Sequence, residues 1–184
     1  FSVLLRPAHA RLHYVNMAAT LAVYDAVAEV TGIKPTIKWP NDVRVNGRKV
    51  AGILIETVMG SEEVVFAIVG IGVNVNFDPS EYPEIAPFAT SIFHETGRTT
   101  DRTTVLRLLL ESLDDLYRIV KEGCSLTELW ASKLETLGRT VQVRWRDRVL
   151  EGLARAVDDQ GNLVLERPDG STVTVLAGEG TLQS

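Results

Sequence analysis

The 184-residue sequence has a single cysteine, Cys124, and only three histidines. One cysteine cannot form an internal disulfide, which is typical of proteins from a reducing compartment. Nothing in the sequence beside Cys124 provides a base to activate a thiol, so we expect an inert small residue rather than a nucleophile. The histidines do not have the spacing of metal ligands and fall at His9, His13 and His94.

The sequence also lacks an apolar run of the roughly 18 residues that a membrane-spanning helix needs, and it has no signal-peptide pattern. Walker loops and Gly-x-Ser-x-Gly elbows are absent. The net charge is −5, whereas nucleic-acid binding depends on clustered Lys and Arg. With 45% hydrophobic and 23% charged residues, the chain is predicted to be a globular, cytoplasmic protein with no membrane association.

The first part of the chain has the pattern of a sheet covered by a helix. A strand at 1–5 precedes apolar residues that are spaced by three and four from Ala10 to Gly32, and this spacing predicts one long helix. Two runs rich in Val and Ile, 48–57 and 64–75, are typical of central strands. Because the sequence opens inside the first strand, we expect N-terminal sequence to be missing.

The second part of the chain first becomes helical and then changes character. A proline-containing connection at 76–100 leads to a helix capped by Asp101 and then to a second helix, predicted over Ser125–Leu137. Short alternating strands separated by turn residues follow and predict a small barrel. We therefore expect two domains, 1–138 and 139–184.

A charged hairpin is the first candidate site. Residues 38–56 read KWPNDVRVNGRKVAGILIE, and the Asn-Gly turn folds Lys49 back towards Asp42. Gly52 interrupts a run of β-branched residues, which often marks the close approach of a ligand or of backbone. Together with Lys38, these residues suit a phosphate-bearing substrate and a divalent metal. From the residues alone, however, a solvated hairpin with ordinary surface lysines is a slightly better explanation.

A second candidate site is the string Gly70-Ile71-Gly72-Val73-Asn74. The alternate glycines Gly70 and Gly72 lie on one face of a strand and leave room for a flat group, while Asn74 offers a donor and an acceptor at the strand end. No third glycine opens a helix, which excludes a Rossmann turn. A strand packed closely on a helix explains these glycines equally well.

The 38–56 segment resembles the signature of the biotin–protein ligases, enzymes that attach biotin to carrier proteins. The resemblance implies an α+β fold: an antiparallel or mixed sheet flanked by helices, related to class II aminoacyl-tRNA synthetases, with a C-terminal SH3-like barrel. It implies ATP and Mg²⁺ as cofactors and biotin as substrate, which forms biotinyl-AMP before a carrier lysine accepts the biotin. The likeness covers nearly the whole chain and continues at Leu5-Arg6-Pro7, Gly70–Asn74, Ala89-Thr90-Ser91, Asp101-Arg102, Trp130 and the C-terminal module.

The resemblance also implies roles for single residues. Lys49 would contact the biotin carboxylate and the α-phosphate, and Lys38 would add charge near the phosphates, because the attack of one anion on another needs fixed positive charge. Asp42 would orient phosphates directly or as a ligand of Mg²⁺. The residues implied to bind biotin and the adenylate are Lys49, Asn41, Gly52, Gly70, Gly72 and Asn74.

Two departures from the family pattern limit what the resemblance implies. The Gly-Arg-Gly-Arg-type loop that closes over biotin in the family does not occur in this sequence, so we expect the chain as given to bind biotin poorly. Gln183 stands where some relatives have a basic residue that reaches towards the nucleotide, and Gln cannot supply that charge. The barrel is therefore assigned no catalytic contact.

Two alternatives to a ligase stay open at this point. One is a non-enzymatic regulator that responds to biotinyl-AMP, which would need an N-terminal helix-turn-helix to bind DNA. The other is a lipoate or octanoyl ligase of the same superfamily, although KWPND followed by KVAG is not expected there. The implied partners are biotin, ATP and a biotin carboxyl carrier protein domain, and a homodimer through the sheet edge is an open alternative to a monomer.

Overall fold

Two five-stranded antiparallel sheets and four α-helices make up the part of the chain that the structure describes. The structure is a computed structural model and describes residues 1–60, 64–145, 148–176 and 180–182. This arrangement confirms the predicted α+β class. Within the described ranges, no helix has the length and apolar character needed to cross a membrane.

The first sheet is built around the predicted hairpin. Its strands are β1 (Ser2–Leu5), β2 (Thr36–Lys38), β3 (Asp42–Val45), β4 (Arg48–Met59) and β5 (Val64–Val73). They are ordered β1-β5-β4-β3-β2, and every neighbouring pair is antiparallel. Asn46 and Gly47 connect β3 to β4 with φ angles of 49° and 78°, as expected for a two-residue turn that needs positive φ at both positions.

Two long helices cover one face of this sheet in successive layers. The helices are α1 (Leu12–Thr31), α2 (Ile92–Thr96), α3 (Arg102–Lys121) and α4 (Thr127–Ala131). α1 packs directly on the sheet, and α3 packs on α1 through one apolar stripe. Gly32 ends α1 with a φ of 69°, and the Asp101 carboxylate begins α3 by accepting hydrogen bonds from the Thr103 and Thr104 amides, as the sequence predicts.

The helix predicted over Ser125–Leu137 is wrong in length. Only Thr127–Ala131 is α-helical, and the chain then pairs with β2. The Ile37 amide donates to the Lys133 carbonyl, and the Glu135 amide donates to the Ile37 carbonyl, both at 2.9 Å. This extended pairing joins segments far apart in sequence, so it overrides the local helical pattern.

The second sheet forms the C-terminal module. Its strands are β6 (Thr140–Trp145), β7 (Arg148–Val157), β8 (Leu163–Glu166), β9 (Thr172–Val175) and β10 (Gly180–Leu182). The order β10-β6-β7-β8-β9 brings the last strand back beside the first, which is the arrangement of a small barrel. Four of these strands match predicted runs, whereas β10 was not predicted. The prediction about Gln183 lies outside the described residues.

Candidate active site

Four residues from four neighbouring strands form one row across the first sheet. Lys38 pairs with Asp42, Asp42 pairs with Gly52, and Gly52 pairs with Gly72. Residues directly opposite one another in antiparallel strands point to the same face. α1 covers the other face, where the chain neighbours of Asp42, Gly52 and Gly72 are buried, namely Val43, Ile53 and Ile71. Candidates from two separate sequence motifs therefore meet on the face that α1 leaves open.

Lys49 reaches along this row and lies above Gly52. Its Nζ atom is 2.5 Å from Oδ1 of Asp42. A Cβ atom at Gly52 would lie 2.7 Å from both Cε and Nζ of Lys49, so no side chain fits there while the pair is formed. The group that approaches Gly52 closely is thus the Lys49 side chain, whereas the sequence predicted a ligand or backbone. The Lys49 side chain is 46% exposed, which leaves its ammonium open to a ligand.

An open groove of 520 Å³ begins at this ion pair. Cβ atoms built at Gly70 and Gly72 would find their nearest neighbours at 3.5 Å and 3.9 Å, and none of those neighbours belongs to a helix. The alternative in which these glycines let a helix pack closely is therefore wrong, since they keep the groove floor flat. The groove is lined by Lys49, Ala51, Gly52, Ile53, Leu54, Gly70, Gly72, Val73, Asn74 and Ala89.

Asn74 is fixed at the end of β5, on the rim of the groove. Its amide N–H donates to the Val50 carbonyl at 2.8 Å, and its side-chain Nδ2 donates to the Thr90 carbonyl at 2.9 Å. The Asn74 carbonyl accepts a hydrogen bond from the Ile92 amide. These bonds fix both the backbone and the side chain of Asn74. Since two of them are made to Thr90 and Ile92, the position of Asn74 depends on residues 90–92.

The segment 88–90 forms one wall of the groove through Ala89, a role that the sequence did not reveal. The Lys49 amide donates to the Phe88 carbonyl at 2.7 Å, and the Thr90 amide donates to the Lys49 carbonyl at 2.8 Å. The sequence predicted a surface connection here, whereas Thr90 and Ser91 are fully buried. In the sequence, only the family resemblance at Ala89-Thr90-Ser91 pointed to this segment, and the resemblance implied no role for these three residues.

Around the row, positively charged side chains outnumber negatively charged ones. Lys38, Arg44 and Lys49 lie near two carboxylates, Asp42 and Glu135. Burial and the Arg44 guanidinium lower the pKa of Lys38, while Asp42 and Glu135 oppose that shift. Lys38 lies one strand beyond Asp42 and does not line the groove. Arg44, which was not predicted as a site residue, pairs with Lys49 across β3 and β4.

Asn41 is placed away from the groove. Its Nδ2 donates to the Ile53 carbonyl at 2.7 Å, and it lines a second cavity of 730 Å³ between α1, β4 and the turn from β7 to β8. The preceding Trp39-Pro40 peptide is cis, and the Trp39 indole N–H donates to the Gly161 carbonyl at 2.9 Å. A residue of the C-terminal module, Gly161, therefore helps to fix the position of the KWPND motif.

Within the described ranges, no group of three or more His, Cys, Asp or Glu side chains could hold a metal ion. Asp42, the predicted magnesium ligand, is engaged by Lys49. Among the described residues that line the groove none carries a carboxylate, and Asp42 lies beside it, which is too few ligands for a site built by the protein alone.

Two family models match the chain. The biotin/lipoate A/B protein ligase family matches residues 1–74, and the biotin protein ligase C terminal domain matches residues 136–179. Among curated proteins, the biotin--[acetyl-CoA-carboxylase] ligase of Paracoccus denitrificans is 34% identical over 94% of this chain and 75% of that protein. The bifunctional ligase/repressor BirA of Bacillus subtilis is 35% identical over 85% of this chain. The chain spans 49% of the length of that Bacillus relative.

Solved structures agree with the sequence relatives. The biotin protein ligase from Aquifex aeolicus is 31% identical, with a TM-score of 0.87, and the match covers 100% of this chain and 80% of that one. A structure of the Aquifex aeolicus ligase in complex with biotin and ATP is also 31% identical and superposes with a TM-score of 0.84 over 100% of this chain and 77% of that one. By its sequence and its fold, this chain belongs to the biotin protein ligase family.

Proposed function

We propose that the protein is an ATP-dependent biotin–protein ligase. It would join biotin to ATP as biotinyl-AMP and then transfer the biotin to a lysine of a biotin carboxyl carrier protein domain. The observation that carries this proposal is the Lys49–Asp42 pair over Gly52, at the end of a groove floored by Gly70 and Gly72. Membership of the family supports it, as does a relative whose structure holds biotin and ATP.

The first step brings two anions together. A biotin carboxylate oxygen attacks the α-phosphorus of ATP, a new P–O bond forms, and the bond to the leaving pyrophosphate breaks. Lys49 is the exposed cation on the groove, so its ammonium would exchange Asp42 for the carboxylate and the α-phosphate. Lys38 and Arg44 add positive potential from the same face of the sheet. Such preorganised charge stabilises the negative charge that builds up during the attack.

The second step transfers the biotinyl group. The neutral amine of a carrier lysine attacks the acyl carbon, an amide bond forms as the nitrogen releases one proton to solvent, and AMP leaves with the electrons of the broken C–O bond. A flat floor at Gly70 and Gly72 leaves space for the adenylate while the amine approaches from solvent. Asn74, fixed through its amide nitrogen, would orient the nucleotide.

Mg²⁺ fits this site as a companion of ATP. Mg²⁺ is usually bound through one or two carboxylates together with substrate phosphates. Asp42 is the carboxylate at the groove, and it would share the ion with phosphate oxygens once Lys49 turns to the substrate. The ion would supply further positive charge at the phosphates.

The proposal is tested by two measurements: which carboxylic acid the protein activates with ATP, and whether the activated acid is transferred to a carrier domain. The protein that carries this chain is incubated with ATP, Mg²⁺ and either biotin, lipoate or octanoate, and acyl-AMP formation is measured with and without a carrier domain. We expect biotinyl-AMP from biotin alone, followed by labelling of the carrier. Turnover of lipoate or octanoate in place of biotin would contradict the proposal, and biotinyl-AMP that never reaches a carrier would favour the regulator.

A further inference from the structure

A buried carboxylate lies behind the wall of the groove. Glu95, on α2, has a side chain that is only 5% exposed. Its Oε1 accepts hydrogen bonds from Arg48 Nη2 at 2.9 Å and from Thr90 Oγ1 at 2.5 Å. Its Oε2 accepts one from Asn46 Nδ2 at 2.6 Å. One side chain thus accepts three side-chain donors from two segments far apart in sequence, the hairpin at 46–48 and the connection at residue 90.

The three donors connect elements that together form the site. Asn46 belongs to the hairpin turn, Arg48 begins β4 directly before Lys49, and Thr90 belongs to the groove wall. Glu95 itself is held at the first turn of α2, where its amide donates to the Ser91 carbonyl at 3.0 Å. The carboxylate therefore ties the wall to the start of β4.

Thr90 is in turn hydrogen-bonded to residues at both ends of the groove, Lys49 and Asn74. Its amide donates to the Lys49 carbonyl at 2.8 Å, and its carbonyl accepts from Asn74 Nδ2 at 2.9 Å. Thr90 is fully buried, so its hydroxyl depends on Glu95 rather than on water. Displacement of Thr90 would move the backbone of Lys49 and release the side chain of Asn74.

We infer that Glu95 is a positioning residue of the adenylation site, which acts through Thr90 and Arg48 on Lys49 and Asn74. This inference rests on the function proposed above. Glu95 does not line the groove, so it has no direct contact with the substrates, and it sets the distance between two residues that do. A displacement of about 1 Å at a reacting group can cost roughly 100-fold in rate.

The chemistry of the three contacts demands a carboxylate. Burial disfavours the charged form of Glu95, but the hydrogen bonds from Thr90 and Asn46 and the charge of Arg48 outweigh it and hold its pKa below the ordinary value. A glutamine has one acceptor oxygen and a donating NH₂ group. In Glu95→Gln the Asn46 amide or the Thr90 hydroxyl would have to turn and accept from the new NH₂ group, and the charge opposite Arg48 would be lost, so the buried contact would be weakened.

The test uses two variants at the contact and one matched control. Thr90→Val removes the hydrogen bond to Glu95, and Glu95→Gln removes the negative charge and one of its two acceptor oxygens, each with little change of shape. Glu111→Gln makes the same charge change on α3, where Glu111 is 58% exposed and bonds to Arg107. Each variant is made in the protein that carries this chain, and kcat and KM for biotin and for ATP are measured during biotinyl-AMP formation, well below the unfolding temperature. Active-site titration gives the fraction of competent protein.

We expect Glu95→Gln and Thr90→Val to lower kcat/KM per competent site by about tenfold or more, with the double variant no worse than the poorer single one, because the two residues act as a unit. Glu111→Gln should match the wild type. Wild-type kcat and KM per competent site in Glu95→Gln would overturn the inference, as would fully additive losses.

A second readout needs no substrate and separates this inference from the proposed function. Hydrogen exchange of the Thr90 amide, which donates to the Lys49 carbonyl, is compared in the same proteins. Exchange at least about tenfold faster in Glu95→Gln, at unchanged exchange in the α1 core, supports the inference. Unchanged exchange at Thr90 would overturn it, even if the wild type proved to make no biotinyl-AMP.

Discussion

The Lys49 ammonium lies 2.5 Å from Oδ1 of Asp42, on the neighbouring strand. The pair crosses above Gly52, at the edge of the groove. Because nearly half of the Lys49 side chain is exposed, a bound anion can compete with Asp42 for the same ammonium without any change of fold. Three residues from one hairpin thus set the position of the charge on which the proposed chemistry depends.

Gly52→Ala should displace that ammonium without unfolding the protein. The new Cβ would lie 2.7 Å from Cε and Nζ of Lys49, and the flexible end of that side chain would move rather than the sheet. We expect biotinyl-AMP formation to fall about 100-fold, while the unfolding temperature changes by no more than a few degrees. Val58→Ala, at an exposed position of the same strand outside the groove, is the control and should keep the wild-type rate. An active Gly52→Ala enzyme would refute this role of the glycine.

The hairpin could be predicted because its determinants are local. Asn46 and Gly47 specify a two-residue turn, which pairs Arg44 with Lys49. A β-bulge next to Arg44 then shifts the register by one residue, so the pairing of Asp42 with Gly52 does not follow from the turn alone. The row from Lys38 to Gly72 follows from the register, although no single motif contains it. Gly52 was predicted as a close-approach site, but the side chain that approaches it became visible only in the folded chain.

The parts that escaped prediction depend on contacts between distant segments. α4 ends early because Lys133 and Glu135 pair with β2. The wall at Thr90 lies in a proline-containing connection, and its burial comes from its pairing with β4. Nothing in the local sequence distinguishes Glu95 from an ordinary charged residue of the 76–100 connection. Local periodicity carries no information about such pairings.

Glu135 predicts a pH dependence of stability. It accepts hydrogen bonds from Thr36 and from Arg44, at 2.6 Å and 2.7 Å. Burial opposes its ionisation, but these bonds outweigh burial and hold its pKa below the ordinary value. A carboxylate with a lowered pKa stabilises the fold fully above its unfolded pKa of about 4.3, and this contribution is lost as the pH falls through the folded pKa.

Glu135→Gln should therefore be less stable than the wild type by about 1.5 to 3 kcal/mol at pH 7. The difference should shrink as the pH falls below about 4. Urea unfolding at pH 7 and at pH 3.5 measures both quantities. A stability difference of the same size at both pH values would show that the charge of Glu135 does not contribute.

Trp39 links the KWPND motif to the C-terminal module, and its replacement should lower the free energy of unfolding. Trp39 is 1% exposed, and its indole N–H donates to the Gly161 carbonyl. Trp39→Phe removes that donor and leaves a carbonyl unpaired, which should cost about 1 to 3 kcal/mol. Denaturant unfolding measures the loss, with Tyr82→Phe, at an exposed ring, as the control. Equal stability of the two variants would contradict this account of the junction.

The central claim is that Lys49 carries the charge for adenylation, and biotinyl-AMP formation by Lys49→Ala tests it most directly. Lys49 is exposed, so the variant should remain folded, as circular dichroism can verify, and Lys121→Ala serves as a control at an exposed lysine at the end of α3. We predict a loss of about 100-fold or more in the rate of biotinyl-AMP formation, with no loss in Lys121→Ala. Undiminished formation of biotinyl-AMP by folded Lys49→Ala would contradict the account.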